Sequence, residues 1–143
     1  MTADVHTGSA SMSRRGVVAL TLIAAALIAV VANSVVAFSG TAAGAGSDFA
    51  PLTPAVYASL TVVGIVVGYL GWRIVVRRTA HPLRVLQILV PVLLVLSLVP
   101  DTISLLVGYI PGTTLTGFVA LMIMHPIVVA VGVPAYQRLL PAR

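Results

Sequence analysis

Residues 14–38, RRGVVALTLIAAALIAVVANSVVAF, decide the class of this protein. Two arginines precede an apolar run from Gly16 to Phe38. A cleaved secretory leader opens the same way, but its apolar core is only about 7–15 residues long. Here the run has 23 residues, which as a helix is ~35 Å at 1.5 Å per residue and crosses a ~30 Å hydrocarbon core. The stretch therefore reads as a retained transmembrane helix over about 16–38.

Composition extends that reading to the whole chain. Of 143 residues, 59% are hydrophobic and 8% charged, whereas soluble domains are about 25% charged. The net charge of +5 comes from eight basic residues, all Arg, against Asp4, Asp48 and Asp101. These arginines gather where apolar runs end rather than forming a face, so they read as orientation determinants and no nucleic-acid partner is expected. Cys is absent, which excludes disulfides, thiolate metal sites and dithiol redox cycles.

Outward from the first span, residues 1–13 are polar and rich in Ser and Thr, the composition of a disordered cytoplasmic tail. His6 there is expected in solvent. Residues 39–54 (SGTAAGAGSDFAPLTP) lack any basic residue and read as an external loop. A second span over about 55–76 ends on Trp72, Arg73, Arg77 and Arg78, an aromatic and basic border of the kind found at headgroup level. Pro54 suits its first turn. A short basic link, with His81 in solvent, leads to a third span over about 85–110, too long for the membrane without tilt or a break. Pro91 and Pro100 each delete a backbone hydrogen bond. The uncharged turn 111–114 (PGTT) is external, and a fourth span covers about 115–136.

Every arginine then lies on one side, so both termini are cytoplasmic and the lipid bilayer is the partner. The expected architecture is all-α: one polytopic domain, 14–143, forming an up-down four-helix membrane bundle.

Asp101 is the one acid inside an apolar span. A carboxylate at membrane depth is costly unless paired, protonated or wetted, so it marks a candidate site and needs a partner. Depth arithmetic nominates His125: Asp101 lies ~24 Å from the inner end of span three, and His125 ~15 Å from the outer end of span four. Asn33 reaches a similar level in span one, ~25 Å from the inside. With Ser34 and Thr102 these residues form a candidate polar pocket in the outer half of the bundle. Asp101 and His125 in contact would titrate as one unit. Three readings stand: a catalytic or proton-handling dyad, a buried structural pair, or an Asp101 wetted at a kinked end with His125 on a carbonyl freed by proline. Asn33 and Ser34 also suit interhelical hydrogen bonding.

Gly64 and Gly68 form a GxxxG, extended by Gly71, a small face on which helices in lipid pack closely. It serves either packing on the Ala25, Ala29 and Ala32 face of span one, or a homo-oligomer or membrane partner. Met122 and Met124 beside His125 read as packing residues rather than a haem pocket. No HExxH, nucleophile elbow or phosphate loop occurs, so no metal and no cofactor is expected.

Arg14-Arg15, Gly71-Trp72, Leu96-Ser97-Leu98 with Pro100, Met124-His125 and Val133-Pro134 together resemble a bacterial family of small four-pass membrane proteins of unknown function. The likeness covers 14–143 and implies four helices, a His in span four and a bacterial cytoplasmic membrane, with no activity to carry over. Pro126 after that His departs from the pattern. The residues leave two functions open: a structural or accessory membrane component, or an intramembrane enzyme or proton-coupled carrier using Asp101 and His125.

Overall fold

A computed structural model describes residues 13–46 and 48–143. The tail residues 1–12, with Asp4 and His6, lie outside the described residues, as does Ser47. Among the described residues five α-helices form four long apolar segments, here called crossings for their length and composition: α1 (Arg14–Ala42), α2 (Pro54–Arg78), α3 (Pro82–Ser97), α4 (Val99–Val107) and α5 (Leu115–Leu139). α3 and α4 together are the third crossing, and all four are long and apolar enough to span a membrane. The protein is an all-α four-helix bundle.

The ends of these helices follow local chemistry that hydropathy does not register. Ser13 is the cap of α1, its Oγ accepting from the Gly16 N–H at 3.3 Å, so the helix starts before the apolar run. At the far end α1 continues to Ala42 through Gly40, which is buried against Ala120 and Leu52, and the Thr41 hydroxyl bonds back to the Ala37 and Phe38 carbonyls. The expected loop is thereby shortened to eleven residues, 43–53, and it includes a 3₁₀ turn at Ala50–Leu52. α2 opens on Pro54 as expected, and Thr114 caps α5 by accepting from the Gly117 N–H at 3.0 Å.

The third crossing corrects the end of the expected span, and of the expected tilt or break it takes the break. It ends at Val107 rather than residue 110, because Gly108 takes the left-handed conformation (φ 64°) that closes a helix at little cost only for glycine. It is also broken: α3 stops at Ser97 and α4 restarts at Val99, with Pro100 in the first turn where its missing N–H is harmless. Pro91 stays inside α3 without ending it, and Pro126 and Pro134 lie within α5.

α5 and α2 form the short diagonal of the bundle, with α1 packed along one side of the pair and α3–α4 along the other. On α1 the buried positions Ala25, Ala29, Asn33, Ala37 and Gly40 recur every three or four residues, one stripe of small side chains that lets α5 approach closely. Most remaining apolar side chains face outward, from Leu27 and Val35 on α1 to Ile88 and Leu106 on the third crossing, as a bundle dissolved in hydrocarbon requires. Two apolar clusters fill the interior. One, near the arginine-bearing end, holds Ala29, Ile65, Tyr69, Trp72, Leu86 and Tyr136. The other, near the opposite end, is built around Phe49, Leu52, Ala120 and Met124. Asn33 and Thr61 lie between them.

Candidate functional site

Asp101 occupies the first turn of α4, immediately past the break. The interruption turns mid-crossing backbone into a helix N-terminus, whose free N–H groups favour negative charge. Across from it on α5, the Nδ1 of His125 lies 3.6 Å from Asp101 Oδ2, an ion-pair distance too long for a hydrogen bond. The same Nδ1 is 2.8 Å from the Leu121 carbonyl oxygen, one turn earlier in α5. A carbonyl can only accept, so Nδ1 carries the hydrogen and directs it along its own helix. The carboxylate stands beside that bond. Asp101 Oδ2 is buried, without a hydrogen-bond partner among the described residues.

This geometry joins features that the sequence offered as alternatives. The two side chains meet across α4 and α5, yet the imidazole bonds a backbone carbonyl. That acceptor belongs to Leu121, not to Met122, the carbonyl deprived of its partner by Pro126. Both side chains are partly exposed, at 28% for His125 and 17% for Asp101, so the pair sits at the margin of the bundle and not on its axis.

Asn33, Ser34 and Thr102 do not hydrogen-bond to this pair. Asn33 is 2% exposed and donates from Nδ2 to Thr61 Oγ1 on α2 at 2.8 Å, leaving its Oδ1 buried without a partner. Ser34 accepts from the Tyr57 hydroxyl at 2.9 Å and donates to the Val30 carbonyl. Thr102 is exposed and bonds back to the Leu98 carbonyl of its own strand of helix. The side chain that does approach Asp101's helix from the turn before α5 is Thr113, whose hydroxyl lies 3.5 Å from the buried Ser104 of α4.

A second polar and aromatic assembly near the arginine-bearing end escaped the sequence reading. Tyr136 of α5 passes its hydroxyl hydrogen to the Ile65 carbonyl in the middle of α2, at 2.7 Å. The phenol fits because glycines flank it on both helices: a Cβ on Gly68 or on Gly132 would lie 2.7 Å from the phenol oxygen. Tyr69 and Trp72 pack on the same ring, each with centroids 6.0 Å away. Trp72, expected at headgroup level, is 4% exposed and turned inward, and its Nε1 donates to the Leu140 carbonyl at the end of α5. Its N–H thus meets one of the carbonyls that a helix end leaves over.

The glycine face is corrected with it. Gly64 and Gly68 face Val128 and Tyr136 of α5, not the alanines of α1, and a Cβ on Gly71 would meet nothing within 4 Å. A Tyr spaced from a Gly on its own helix and facing a GxxxG across the bundle was the available signal. Reading it needs the pairing of spans two and four.

These features define a class: an all-α four-helix bundle whose helices are long and apolar enough to span a membrane, with a broken third segment and an Asp–His contact beside the break. The chain belongs to a family of unknown function, DUF6069, whose model matches residues 13–142. No curated protein and no solved structure matches it.

Proposed function

We propose that this is an integral protein of the bacterial cytoplasmic membrane, with both termini in the cytoplasm, acting as a structural or accessory component rather than an enzyme. The orientation rests on Arg14, Arg15, Arg73, Arg77, Arg78, Arg84, Arg138 and Arg143, which belong to one end of the bundle, while the opposite loops have none. The role rests on the use of the interior polar groups. Asn33–Thr61, Ser34–Tyr57, Tyr136–Ile65 and Trp72–Leu140 each tie one helix or helix end to another, so they serve the assembly of the bundle.

One observation favours a second reading, an intramembrane enzyme or proton-coupled carrier: Asp101 Oδ2 is buried and unbonded 3.6 Å from a histidine. Intramembrane acids of this kind commonly relay protons or bind ions. Reconstitution separates the two. Vesicles containing a pH-sensitive dye receive a potassium diffusion potential, and proton entry is compared between the native protein and Asp101→Asn. Equal entry is the outcome expected for a structural component; entry lost in Asp101→Asn transfers the conclusion to the carrier. Orientation is tested by thiol labelling in cells. Ala50→Cys should react from outside and Arg78→Cys only after permeabilisation, and the reverse pattern rejects the topology.

A further inference from the structure

The arginine-bearing end carries a cleft that neither reading of the Asp–His pair uses. It has a volume of ≈ 560 Å³ and lies among the first turns of α1, the last turns of α2 and the end of α5. Arg14 and Arg15 line it from α1, Arg73 and Arg77 from α2. All are exposed. The only acidic side chains among the described residues are Asp48 in the opposite loop and Asp101 beyond the helix break, so no described Asp or Glu side chain lies at this end. Deeper in, Val18 and Leu22 of α1 and Tyr69 of α2 line it, while Leu139 and Leu140 wall it at the end of α5. A second cleft of ≈ 370 Å³ on α2 shares Arg73 and Arg77 and adds Arg78 and Ile74.

The cleft thus has a cationic mouth and an apolar floor on a bundle whose outer surface is hydrocarbon-like. A soluble anion would satisfy the guanidinium groups but leave the Val18, Leu22 and Leu139 walls against water. A partner protein would need an acidic segment continuing into an apolar one at the level of the membrane surface. A glycerophospholipid has that order of groups built in, with its phosphate ester at the interface and its acyl chains below. Arginine forks match phosphate oxygens in pairs, and basic pockets between helices on the cytoplasmic side are places where anionic headgroups bind.

We propose that this cleft is a binding site for an anionic glycerophospholipid, held by Arg14, Arg15, Arg73 and Arg77, with acyl chains against Val18 and Leu22. The lipid would bridge α1 to the end of α2, the two helices that carry its arginines. The inference rests on the membrane reading above and on the cytoplasmic placement of this end.

Trp72, the one tryptophan in the chain, supplies the probe. It precedes Arg73, and its indole N–H bonds the carbonyl of Leu140, a residue of the cleft wall. The full chain is reconstituted in phosphatidylcholine vesicles doped with acyl-brominated phosphatidylglycerol or with acyl-brominated phosphatidylcholine, and quenching of Trp72 is compared. The anionic lipid should quench at a lower mole fraction than the zwitterionic one. Each arginine near the surface is worth a factor of about five in affinity for anionic lipid, so Arg14→Gln with Arg77→Gln should weaken the preference about 30-fold. Arg84→Gln with Arg138→Gln, which removes the same charge outside the cleft, should weaken the quenching preference of Trp72 clearly less than Arg14→Gln with Arg77→Gln, and an equal loss overturns the site. Helical content measured by circular dichroism verifies folding of each variant, and single changes replace any double variant that fails to fold.

A preference equally strong in Arg14→Gln with Arg77→Gln overturns the site. So does equal quenching by both lipids. Relief of quenching by millimolar inorganic phosphate would show a phosphate site without lipid selectivity and also overturns the proposal. Absence of quenching by either lipid, in protein that stays at the bottom of a flotation gradient while the vesicles rise, would instead reject the membrane reading.

Discussion

Replacing Gly68 by alanine should destabilise the bundle through the phenol of Tyr136, and removing the phenol oxygen should rescue it. The added Cβ falls 2.7 Å from that oxygen and 3.3 Å from the nearest ring carbons, so the oxygen is the obstacle. Displacing it strains the packing, which typically costs about 1–3 kcal/mol, and breaks the bond to the Ile65 carbonyl. Alanine regains up to about 1 kcal/mol of helix propensity in water, which makes the single-variant total an ambiguous readout. A double-mutant cycle removes that ambiguity, because propensity enters both arms and cancels. Tyr136→Phe alone forfeits an interhelical bond worth about 0.6 kcal/mol, at most about 1.7. Gly68→Ala with Tyr136→Phe has neither an oxygen to clash nor a bond left to lose, so it should be about 1 kcal/mol or more stabler than the sum of the singles. Gly132 is the internal comparison. A Cβ there also meets the ring carbon Cζ at 2.9 Å, so removing the oxygen leaves a clash and the rescue should be smaller. Reversible unfolding in mixed micelles, followed by Trp72 fluorescence, measures all the variants. Effects that add within about 0.5 kcal/mol at Gly68 would refute the argument, as would equal rescue at both glycines.

Two other expectations follow from contacts in the outer and middle layers. Asp101→Ala and His125→Leu should be non-additive in the same unfolding assay, with a coupling of about 1 kcal/mol, because partial exposure at 3.6 Å lowers the ~3–5 kcal/mol cost of breaking a fully buried pair; additivity within about 0.5 kcal/mol would show that they do not interact. Thr61→Val leaves the Asn33 amide buried without its acceptor and should cost about 1–3 kcal/mol, whereas Thr61→Val with Asn33→Leu removes both polar partners and should lie near the native stability. A double variant weaker than Thr61→Val alone would mean that this polar pair makes a net contribution to the bundle.

The sequence by itself determined how many long apolar helices there are and roughly where each lies, though α1 runs on to Ala42 and the third segment covers Pro82–Val107 rather than 85–110. Those features arise from one-dimensional quantities: the length of apolar runs, the placement of Arg at their ends and the prolines and glycines that punctuate them. The need for a tilt or a break in the third segment was legible from its length, but not which: Pro91 and Pro100 each delete a backbone hydrogen bond, and only at Pro100 is the helix interrupted. Axial depth was also legible, which is why Asp101 and His125 could be nominated together from residue counts alone. Tertiary structure decided rotation about each helix axis. Depth alone placed Asn33 with Asp101 and His125, but its side chain points to Thr61 on α2; Trp72 has an interfacial position in the chain but faces inward to Tyr136; and Gly64 and Gly68 face α5 rather than α1. In a soluble helix an apolar stripe reveals the inward face. Here lipid and core are both apolar, hydropathy is nearly the same all round, and the inward direction is fixed by close fit between small residues, rings and a few hydrogen bonds that exist only once the helices have met.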